Sequence, residues 1–543
     1  MKKPVILHHF LFAILPILFL YVHNAAGLRI SELPAPLGIT LALAVLLWLG
    51  LSRLMRNNVR TASALSFFWL WFFAWGCFYE PQPGGAVPPS EKGLHFFAGY
   101  CCILLVGIVV LIRMKRGIND LSRMFNYMAV GLVAWQIISI GGFEAKRIIT
   151  MRRLNRVTAL NAIPASRQNI RPNIYCIILD GYGRADVLQE IYQYDNSSFL
   201  KALEQRGFHV VKNSRANYCQ TALSIASLLN LSYMDHIAKL VGPSSDDRNP
   251  LMLVSKENRL FPFLRSQGYR ISTFSSGYLT TDALGDIADS QYGPAMESEA
   301  PTLSEFHASI LKATPVPLLT QSVSKGKPGQ WHWHNVKYTV KHLADQAGAE
   351  SPAFVLAHVI CPHPPFVFDR QGKITISKGV FAENMFDGSH FKRSKAEYIR
   401  GYREQVMFMN SKVQQISDQI LARAKRPTVI IVLSDHGPGS QLDWEDANKT
   451  NLPERFGTLL AYRLPEGGEL PGTDELTQVN LFRLVLNRYF GTQLETLPNE
   501  SYYSTWSKPY RFIRVTDKLG TPSASASARR SNNYKLLGNR IDD

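Results

Sequence analysis

Two apolar runs in the second half of the sequence end in residues that could bind a metal ion. Asp180 follows the run at 173–179, and Asp435 and His436 follow the run at 429–433. Carboxylate and imidazole groups are ligands that suit zinc and manganese. An aspartate before a glycine is often only a turn former, so the adjacent pair Asp435 and His436 is the stronger indication of a metal site.

Thr221 is the first candidate nucleophile. The sequence from Ala222 onward predicts a helix, which puts Thr221 near the N-cap, where a threonine often serves only to cap the helix. The functional alternative is that the helix dipole and a nearby metal lower the pKa of the hydroxyl. Together with the aspartates, this position favours Thr221 as the nucleophile, with Cys219 as a rival and Ser224 as a weaker one.

A fourth group of candidates follows the apolar run at 353–359. His363 lies in a proline-rich loop that should reach the same edge of a sheet, and it is a candidate for protonating a leaving group or holding a substrate. It could equally be an incidental histidine in a packed loop. His358 lies nearer the strand, where we expect a structural role; with Arg184 and Asn217 it is a weak candidate for substrate binding. The histidines at 332 and 334 indicate only surface or packing positions.

The strands and helices that must position these residues predict an α/β domain over 172–518. Continuous apolar runs, typical of strands buried on both faces of a parallel sheet, alternate with amphipathic stretches at 395–424 and 479–490. This alternation predicts a doubly wound sheet, whose ligands bind beyond the carboxyl ends of the strands. The predicted strands are 173–179, 208–212, 269–274, 353–359, 428–433 and 456–462. The segment 519–543 is rich in Ser, Ala, Arg and Asn, and we expect it to be partly disordered.

The first 143 residues predict a membrane domain of five transmembrane helices. Each apolar run is near the ~17–25 residues that cross a bilayer as a helix. An alternative for the first run is a cleavable signal peptide that ends near residue 27. The five runs are 5–22, 36–52, 64–79, 95–112 and 124–143.

The distribution of Lys and Arg predicts the orientation of these helices. The N-terminus and two alternate loops carry nine basic residues, whereas the loops on the other side carry only Arg29 and Lys92. The more basic side should be cytoplasmic, so five spans put the N-terminus inside and the chain after residue 143 outside. The nine are Lys2, Lys3, Arg53, Arg56, Arg60, Arg113, Lys115, Arg116 and Arg123.

The segment 144–171 is strongly basic. It predicts an amphipathic helix on the outer membrane surface, although a solvated linker, or a cytoplasmic location that would invert the topology, would also fit. The formal net charge of the chain is +17, which favours anionic partners; a domain outside the cytoplasm disfavours nucleic acid among them. The basic residues of this segment are Lys146, Arg147, Arg152, Arg153, Arg156, Arg167 and Arg171.

Six cysteines in 543 residues exclude a disulfide scaffold. None forms a Cys-x-x-Cys pair, so a cysteine-rich zinc site is not expected. Cys219 and Cys361 each lie two residues before a candidate site residue and could pair, but two buried thiols are the commoner state.

The four groups of candidate site residues resemble the alkaline phosphatase superfamily in its sulfatase-like branch, over residues 172–515. In chain order these groups contain Asp180, Thr221, His363 and the pair Asp435 and His436. With five spans ahead of the domain, the whole chain resembles bacterial lipid A phosphoethanolamine transferases and lipoteichoic acid synthases. The resemblance implies a metal-bound threonine that becomes phosphorylated. Asp180, Thr221, Asp435 and His436 match the shell of a divalent metal, zinc or manganese, and His363 matches the histidine that meets the substrate or a second metal.

The same resemblance implies a phospholipid donor, a glycan or glycolipid acceptor and a location in the bacterial cytoplasmic (inner) membrane. The sequence also departs from these relatives. Asp180 replaces a glutamate, the cysteine pairs of the phosphoethanolamine transferases are missing, and Cys219 is not followed by the x-Pro-x-Arg of sulfatases. Three functions therefore stay open: a headgroup transferase, a hydrolase of phosphate or sulfate esters, and a non-catalytic membrane protein.

Overall fold

The computed structural model divides the chain into two compact units. The first holds the described residues up to Ile149 together with 305–316, and the second holds the remaining described residues. The described residues are 5–25, 28–78, 91–158, 163, 171–294, 305–316, 330–348, 351–375, 385–472 and 475–520. Most of the predicted C-terminal tail and residues 159–170 of the predicted linker, except 163, lie outside this part of the chain.

The α-helices occur in both units. In chain order they are α1 His8–Asn24, α2 Pro34–Met55, α3 Asn58–Phe78, α4 Glu91–Arg113, α5 Ile118–Thr158, α6 Ala185–Glu190, α7 Ser197–Gln205, α8 Thr221–Asn230, α9 Asp235–Val241, α10 Asn249–Lys256, α11 Leu260–Ser266, α12 Leu279–Asp282, α13 Glu305–Lys312, α14 Gln330–His342, α15 Lys395–Arg423, α16 Leu452–Phe456 and α17 Gln478–Phe490.

The strands among the described residues all lie in the second unit. They are β1 Asn173–Leu179, β2 Phe208–Val210, β3 Arg270–Phe274, β4 Ser290–Tyr292, β5 Ala353–Val359, β6 Thr428–Leu433, β7 Leu460–Arg463, β8 Tyr502–Tyr503 and β9 Ile513–Arg514. Short 3-10 turns occur at Ile30–Glu32, Ala283–Ile287, Leu343–Gly348, Gly388–His390 and Thr516–Lys518.

Four helices among the described residues are long and apolar enough to cross a membrane, rather than the five predicted. They are Ile30–Met55, Asn58–Phe78, His95–Arg113 and Ile118–Thr150. The apolar run that was predicted as the first span forms α1, which has 17 residues. At 1.5 Å per residue α1 is about 26 Å long, which is short of a hydrocarbon core of about 30 Å.

Helix α1 packs into the first unit along its whole length. Ala13, Ile17 and Tyr21 share a hydrophobic cluster with Trp69 and Phe73 of α3. The later segment around α13 joins the same cluster through its buried residues Phe306 and Ile310. No pattern in the sequence indicates that a segment following β4 packs with α1 and α3.

Helix α5 continues past the predicted end of the membrane domain at residue 143. It runs without a break to Thr158, so the first half of the predicted basic linker is helical. Arg147 in this stretch is buried and forms an ion pair with Glu144 at 2.6 Å. Arg152 and Arg153 are exposed, as expected for the polar face of such a helix.

The main sheet of the second unit has seven strands in the order β2-β7-β6-β1-β5-β3-β4. The five strands from β6 to β4 are parallel, whereas β7 is antiparallel to β6 and β2 is antiparallel to β7. The sheet is therefore mixed: the predicted parallel pairing holds for five strands, and one edge is antiparallel. Every residue of β1, β5 and β6 is buried, which confirms that these central strands are covered on both faces.

The helix that begins at Thr221 is anchored on this sheet. Ile225 and Leu228 of α8 lie in one hydrophobic cluster with Ile174 and Ile178 of β1 and with Phe482 of α17. Full burial of such side chains contributes about 1.5–3 kcal/mol each. The packing therefore fixes the start of α8 relative to the carboxyl end of β1.

Candidate metal centre

The sheet topology brings three ligand-bearing residues to one edge. β1 lies between β5 and β6, with Ile178 opposite His358 on one side and opposite Leu433 on the other. The residues that end these strands are therefore neighbours, and one ligand atom each from Asp180, His358 and Asp435 lie within 4.8 Å of one another. This is the edge at which the sequence analysis predicted the site.

The two carboxylates of this cluster are poorly satisfied by the protein. Oδ1 of Asp180 and Oδ2 of Asp435 are buried and have no hydrogen-bond partner among the described residues. The other oxygen of Asp435, Oδ1, accepts a hydrogen bond from the backbone N–H of Gly181 at 3.1 Å. Burying an ionised oxygen without a partner is costly, so this donor set fits a bound cation.

The imidazole of His436 faces both carboxylates and the candidate nucleophile. Its Nε2 is 3.0 Å from Oγ1 of Thr221, 3.3 Å from Oδ2 of Asp435 and 3.6 Å from Oδ1 of Asp180. Nδ1 lies 2.9 Å from the carbonyl oxygen of Gly437, which accepts only from a protonated nitrogen. In the neutral ring Nε2 therefore carries the lone pair, and it points at the cluster.

The electrostatic environment favours a charged Asp180 and a neutral His436. Burial alone would raise the pKa of Asp180, but the charge of His363 and the hydrogen bond from His358 hold it well below its usual range. Burial lowers the pKa of His436, and the positive charge of Arg455 lowers it further. A neutral imidazole beside carboxylates is the protonation state that a metal site requires.

Gly437 allows the loop after β6 to turn tightly. A Cβ at this position would lie 2.0 Å from the backbone oxygen of Glu454. The N–H of Gly437 donates to the carbonyl oxygen of Arg455 at 2.7 Å. The glycine that follows His436 is thus required by a close backbone approach, which holds His436 over the end of the sheet.

Thr221 is the first residue of α8, and Gln220 is its N-cap. The interpretation of Thr221 as a capping residue is therefore wrong, and its hydroxyl is directed to His436 instead. The hydroxyl of Ser224 donates to the carbonyl oxygen of Tyr218 at 3.2 Å. Cys219 is fully buried, and burial raises the pKa of its thiol. Of the three candidates, Thr221 is the one that faces the cluster.

His358 lies within the cluster of Asp180 and Asp435, whereas its sequence position predicted only a structural role. Its Nε2 lies 3.2 Å from Oδ2 of Asp180, and its Nδ1 lies 3.1 Å from Oγ1 of Thr281. Burial alone would lower the pKa of His358, but the hydrogen bond to Asp180 and the negative charge of that residue raise it. The sequence feature that could have indicated this role is the position of His358 near the end of β5, which pairs with β1.

His363 is held next to the cluster by the backbone. Its N–H donates to the carbonyl oxygen of Asp180 at 3.0 Å, and its Nδ1 donates to the carbonyl oxygen of Pro364 at 2.7 Å. The centre of its ring is 6.1 Å from that of His436. His363 therefore lies beside Asp180 and His436 at this edge of the sheet, with Nε2 as its remaining ring nitrogen; its role with a leaving group or substrate stays a prediction.

The other weak candidates have structural partners. The guanidinium of Arg184 pairs with Asp186 at 2.7 Å and donates to the backbone of Ser214. The side chain of Asn217 is buried, donates to the hydroxyl of Tyr233 and accepts from the backbone N–H of Val479. A role of either residue in substrate binding stays a prediction.

Two sequence-based interpretations concern side chains around this site. His332 is buried, as the packing interpretation required, and burial lowers its pKa to about 4. Cys219 and Cys361 are both buried free thiols, so the disulfide considered for them is not formed.

The chain resembles known proteins in sequence and in structure. The Sulfatase family model matches residues 172–482, more than half of the chain. No curated protein matches the sequence significantly. Among solved structures, the C-terminal periplasmic domain of EcEptC from Escherichia coli, in complex with zinc, is 11% identical with a TM-score of 0.42, covering 66% of this chain and 96% of that chain.

Two further structures extend this comparison. The integral membrane protein lipooligosaccharide phosphoethanolamine transferase A from Neisseria meningitidis is 10% identical with a TM-score of 0.38, covering 87% of this chain and 95% of that chain. The lipoteichoic acid synthase LtaP from Listeria monocytogenes is 10% identical with a TM-score of 0.38, covering 66% and 81%. Because the family match spans more than half of the sequence, the chain belongs to the sulfatase family.

Proposed function

We propose that this protein is a membrane-anchored, metal-dependent transferase that moves a phospholipid headgroup onto a cell-surface glycan or glycolipid. The headgroup is phosphoethanolamine or phosphoglycerol, and it is carried as an ester of Thr221. The observation that supports this most directly is the hydroxyl of Thr221, at the start of α8, 3.0 Å from Nε2 of His436. A helix N-terminus favours a bound anion such as a phosphate group.

The metal ion of this proposal is zinc or manganese. Asp180, Asp435, His436 and the Thr221 hydroxyl would hold it, and His358 contacts the other oxygen of Asp180. When bound, such an ion acts as a Lewis acid that stabilises negative charge at the phosphoryl group and favours the deprotonated nucleophile. The two buried carboxylate oxygens without hydrogen-bond partners support its presence.

In the first step of the proposed reaction, Thr221 takes the headgroup from the lipid. The hydroxyl proton of Thr221 is given up to water before the attack. The bond between Oγ1 and phosphorus forms as the bond from phosphorus to the glycerol oxygen breaks. The glycerol oxygen keeps that electron pair, accepts a proton from Nε2 of His363 and leaves as diacylglycerol.

In the second step the acceptor takes the headgroup from Thr221. A sugar hydroxyl attacks the same phosphorus and passes its proton to Nε2 of His363, which the first step left deprotonated. The bond between phosphorus and Oγ1 breaks, and its electron pair returns to Thr221. Attack by water instead of the sugar hydroxyl would make the protein a hydrolase, so the reaction type depends on what enters the site second.

A membrane location suits this chemistry because the proposed donor and its product are both lipids. With four spans, the connections α2–α3 and α4–α5 are the basic ones, with Arg53, Arg56 and Arg60 at the first. If these connections face the cytoplasm, the domain that follows α5 lies outside it, in agreement with the sequence prediction. Only the side of the N-terminus changes with the number of spans, because it depends on whether α1 crosses the bacterial inner membrane.

The absence of the sulfatase sequence pattern after Cys219 favours phosphoryl over sulfuryl transfer. Sulfatases carry Cys or Ser followed by x-Pro-x-Arg, whereas here Gln220, Thr221, Ala222 and Leu223 follow Cys219. The buried thiol of Cys219 donates to the carbonyl oxygen of Ser504 at 3.4 Å. This contact disfavours Cys219 as the nucleophile. Thr221 then remains as the group that can form the covalent ester.

The proposal is tested with the full-length protein in detergent micelles and two radiolabelled donors, phosphatidylethanolamine and phosphatidylglycerol. We expect diacylglycerol release with one of them and a covalent headgroup adduct on Thr221, located by mass spectrometry of the peptide. Mass spectrometry of envelope glycans from cells with and without the protein then identifies the acceptor. Free phosphoethanolamine or glycerol phosphate with an unlabelled glycan would show a hydrolase, and no turnover of either lipid would refute the proposal.

A further inference from the structure

One buried ion pair next to the site has no role in the chemistry described so far. Nη1 of Arg455 donates to Oδ2 of Asp387 at 2.7 Å, and their side chains are only 1% and 2% exposed. Arg455 lies in α16, after the loop that carries His436, and Asp387 lies just before a 3-10 turn. Buried ion pairs are expensive to desolvate and add little stability over an apolar pair, so a second role has to be considered.

Arg455 connects the two segments that carry the nucleophile and its partner. Its Nε donates to the carbonyl oxygen of Cys219 at 2.9 Å, two residues before Thr221. Its Nη1 also donates to the carbonyl oxygen of Gly437 at 3.1 Å, one residue after His436. Because the guanidinium group is planar and rigid, it fixes the distance between these two backbone segments.

Asp387 connects the same arginine to His363. Its Oδ2 lies 3.7 Å from Nε2 of His363, and its Oδ1 accepts a hydrogen bond from the hydroxyl of Tyr398 at 2.6 Å. Burial alone would raise the pKa of Asp387, but the charge of Arg455 keeps it below its usual range. The group facing His363 is therefore a carboxylate.

The spacing between Asp387 and His363 suits a proton donor. Nδ1 of His363 is occupied by the carbonyl oxygen of Pro364, so a transferable proton must reside on Nε2. The carboxylate of Asp387 lies 3.7 Å from Nε2, beyond hydrogen-bond distance, so it faces this nitrogen without occupying it. The Nε2–H group therefore stays available to an oxygen of the substrate.

We propose that Asp387 and Arg455 are positioning residues that hold His363 as a proton donor in register with Thr221. This inference rests on the proposed function, because it assumes that His363 protonates the departing glycerol oxygen. Asp387 presents its carboxylate to the ring nitrogen that faces the leaving group, and Arg455 sets the place of the nucleophile relative to that nitrogen. The sequence motifs contain neither residue.

The test compares two donors that differ in their need for a proton. Phosphatidylethanolamine expels a glycerol alkoxide, whereas the p-nitrophenyl ester of phosphoethanolamine expels a phenolate that leaves without protonation. For Asp387→Asn in the full-length protein we expect the single-turnover rate of diacylglycerol release from the lipid to fall about 10–100-fold, a part of the effect of general acid catalysis. With the p-nitrophenyl ester, the single-turnover rate of p-nitrophenolate release should fall about threefold at most, because this first step needs no proton from His363.

Three further variants separate positioning from general damage to the fold. Asp418→Asn removes the exposed ion pair with Arg206 in the same unit and should leave both activities unchanged. Gly439→Ala keeps the carboxylate of Asp387 but displaces it, because a Cβ there would lie 2.5 Å from that carboxylate. This variant should also lower the activity with the lipid more than the activity with the p-nitrophenyl ester. Arg455→Lys, which cannot make both backbone contacts at once, should lower both activities.

Equal losses with the two donors in Asp387→Asn and in Gly439→Ala would overturn the inference and leave the pair with a purely structural role. This outcome is distinct from failure of the proposed function, which is tested by Thr221→Ala. If Thr221→Ala still turned over the p-nitrophenyl ester, the covalent mechanism itself would be wrong, whatever Asp387 does. If Asp387→Asn does not fold, the ratio of the two activities in Gly439→Ala decides the question.

Discussion

Replacing Thr221 by alanine should abolish activity while the protein stays folded. The substitution removes one hydroxyl, whose described contact is the hydrogen bond to Nε2 of His436 at 3.0 Å. A hydrogen bond of this kind contributes a net ~0.5–1.5 kcal/mol to stability. Because the N-cap is Gln220 and not Thr221, no capping interaction is lost in addition. The expected cost is a small part of the ~5–15 kcal/mol typical of a folded domain.

The expected effect of Thr221→Ala on catalysis is far larger than its effect on stability. Without Oγ1 no covalent ester forms, and removal of a nucleophile in comparable covalent mechanisms lowers kcat by about 10³-fold or more. The assay follows release of labelled diacylglycerol by the full-length protein, together with thermal unfolding by scanning fluorimetry. Thr221→Ser should retain some of the rate because it keeps the hydroxyl.

Ser224→Ala is the matched control for this substitution. Ser224 lies one turn further along the same helix, and its hydroxyl makes a similar hydrogen bond, to the carbonyl oxygen of Tyr218 at 3.2 Å. The loss of stability should therefore be comparable, while the activity should be kept. A Thr221→Ala protein with most of its activity, beside an inactive Ser224→Ala or Cys219→Ala protein, would refute the assignment of the nucleophile.

The remaining predictions concern the metal, the loop after β6, the buried ion pair and the topology. The double variant Asp435→Ala/His436→Ala should lose most of the bound zinc or manganese in elemental analysis; a metal content equal to that of the wild type would contradict the site. Gly437→Ala, whose Cβ would lie 2.0 Å from the backbone oxygen of Glu454, should lower Tm through overpacking worth about 1–3 kcal/mol and reduce activity; an unchanged Tm would speak against the close approach. Because the pKa of Asp387 is lowered in the folded state, its charge stabilises the fold above the usual pKa, so the destabilisation by Asp387→Asn in denaturant titrations should shrink as the pH falls below about 4. A reporter fused to the C-terminus should be active only outside the cytoplasm; cytoplasmic activity would invert the topology.

The sequence determined the central strands and the residues at their ends. The continuous apolar runs at 173–179, 353–359 and 428–433 are strands with nearly the predicted bounds, because a strand buried on both faces leaves a local pattern that needs no partner to be recognised. The positions of Asp180 and His436 at one edge could be predicted for the same reason: a strand end is visible in the sequence, and in a parallel sheet adjacent strand ends meet at one edge. Membership of the sulfatase-like branch followed from the order of these motifs.

The edges of both units depended on long-range packing and were predicted less well. β7 returns antiparallel to β6, although its sequence is as apolar as that of a parallel strand, because strand direction is decided by the path of the connecting chain. The apolar run of α1 was long enough to suggest a span, but the helix begins only at His8 and ends at Asn24. What a helix packs against, and so how much of an apolar run is stabilised as a helix, depends on residues distant in sequence.

Only the tertiary structure decided which polar residues share the site. His358 contacts Asp180 across two neighbouring strands, and Asp387 meets Arg455 across a separation of 68 residues. Neither pair has a spacing pattern, because side chains brought together by strand order and loop closure carry no periodic signal in the chain. Local chemistry can therefore indicate a nucleophile and its metal ligands, whereas the groups that orient them are defined by the folded arrangement of the loops around the sheet.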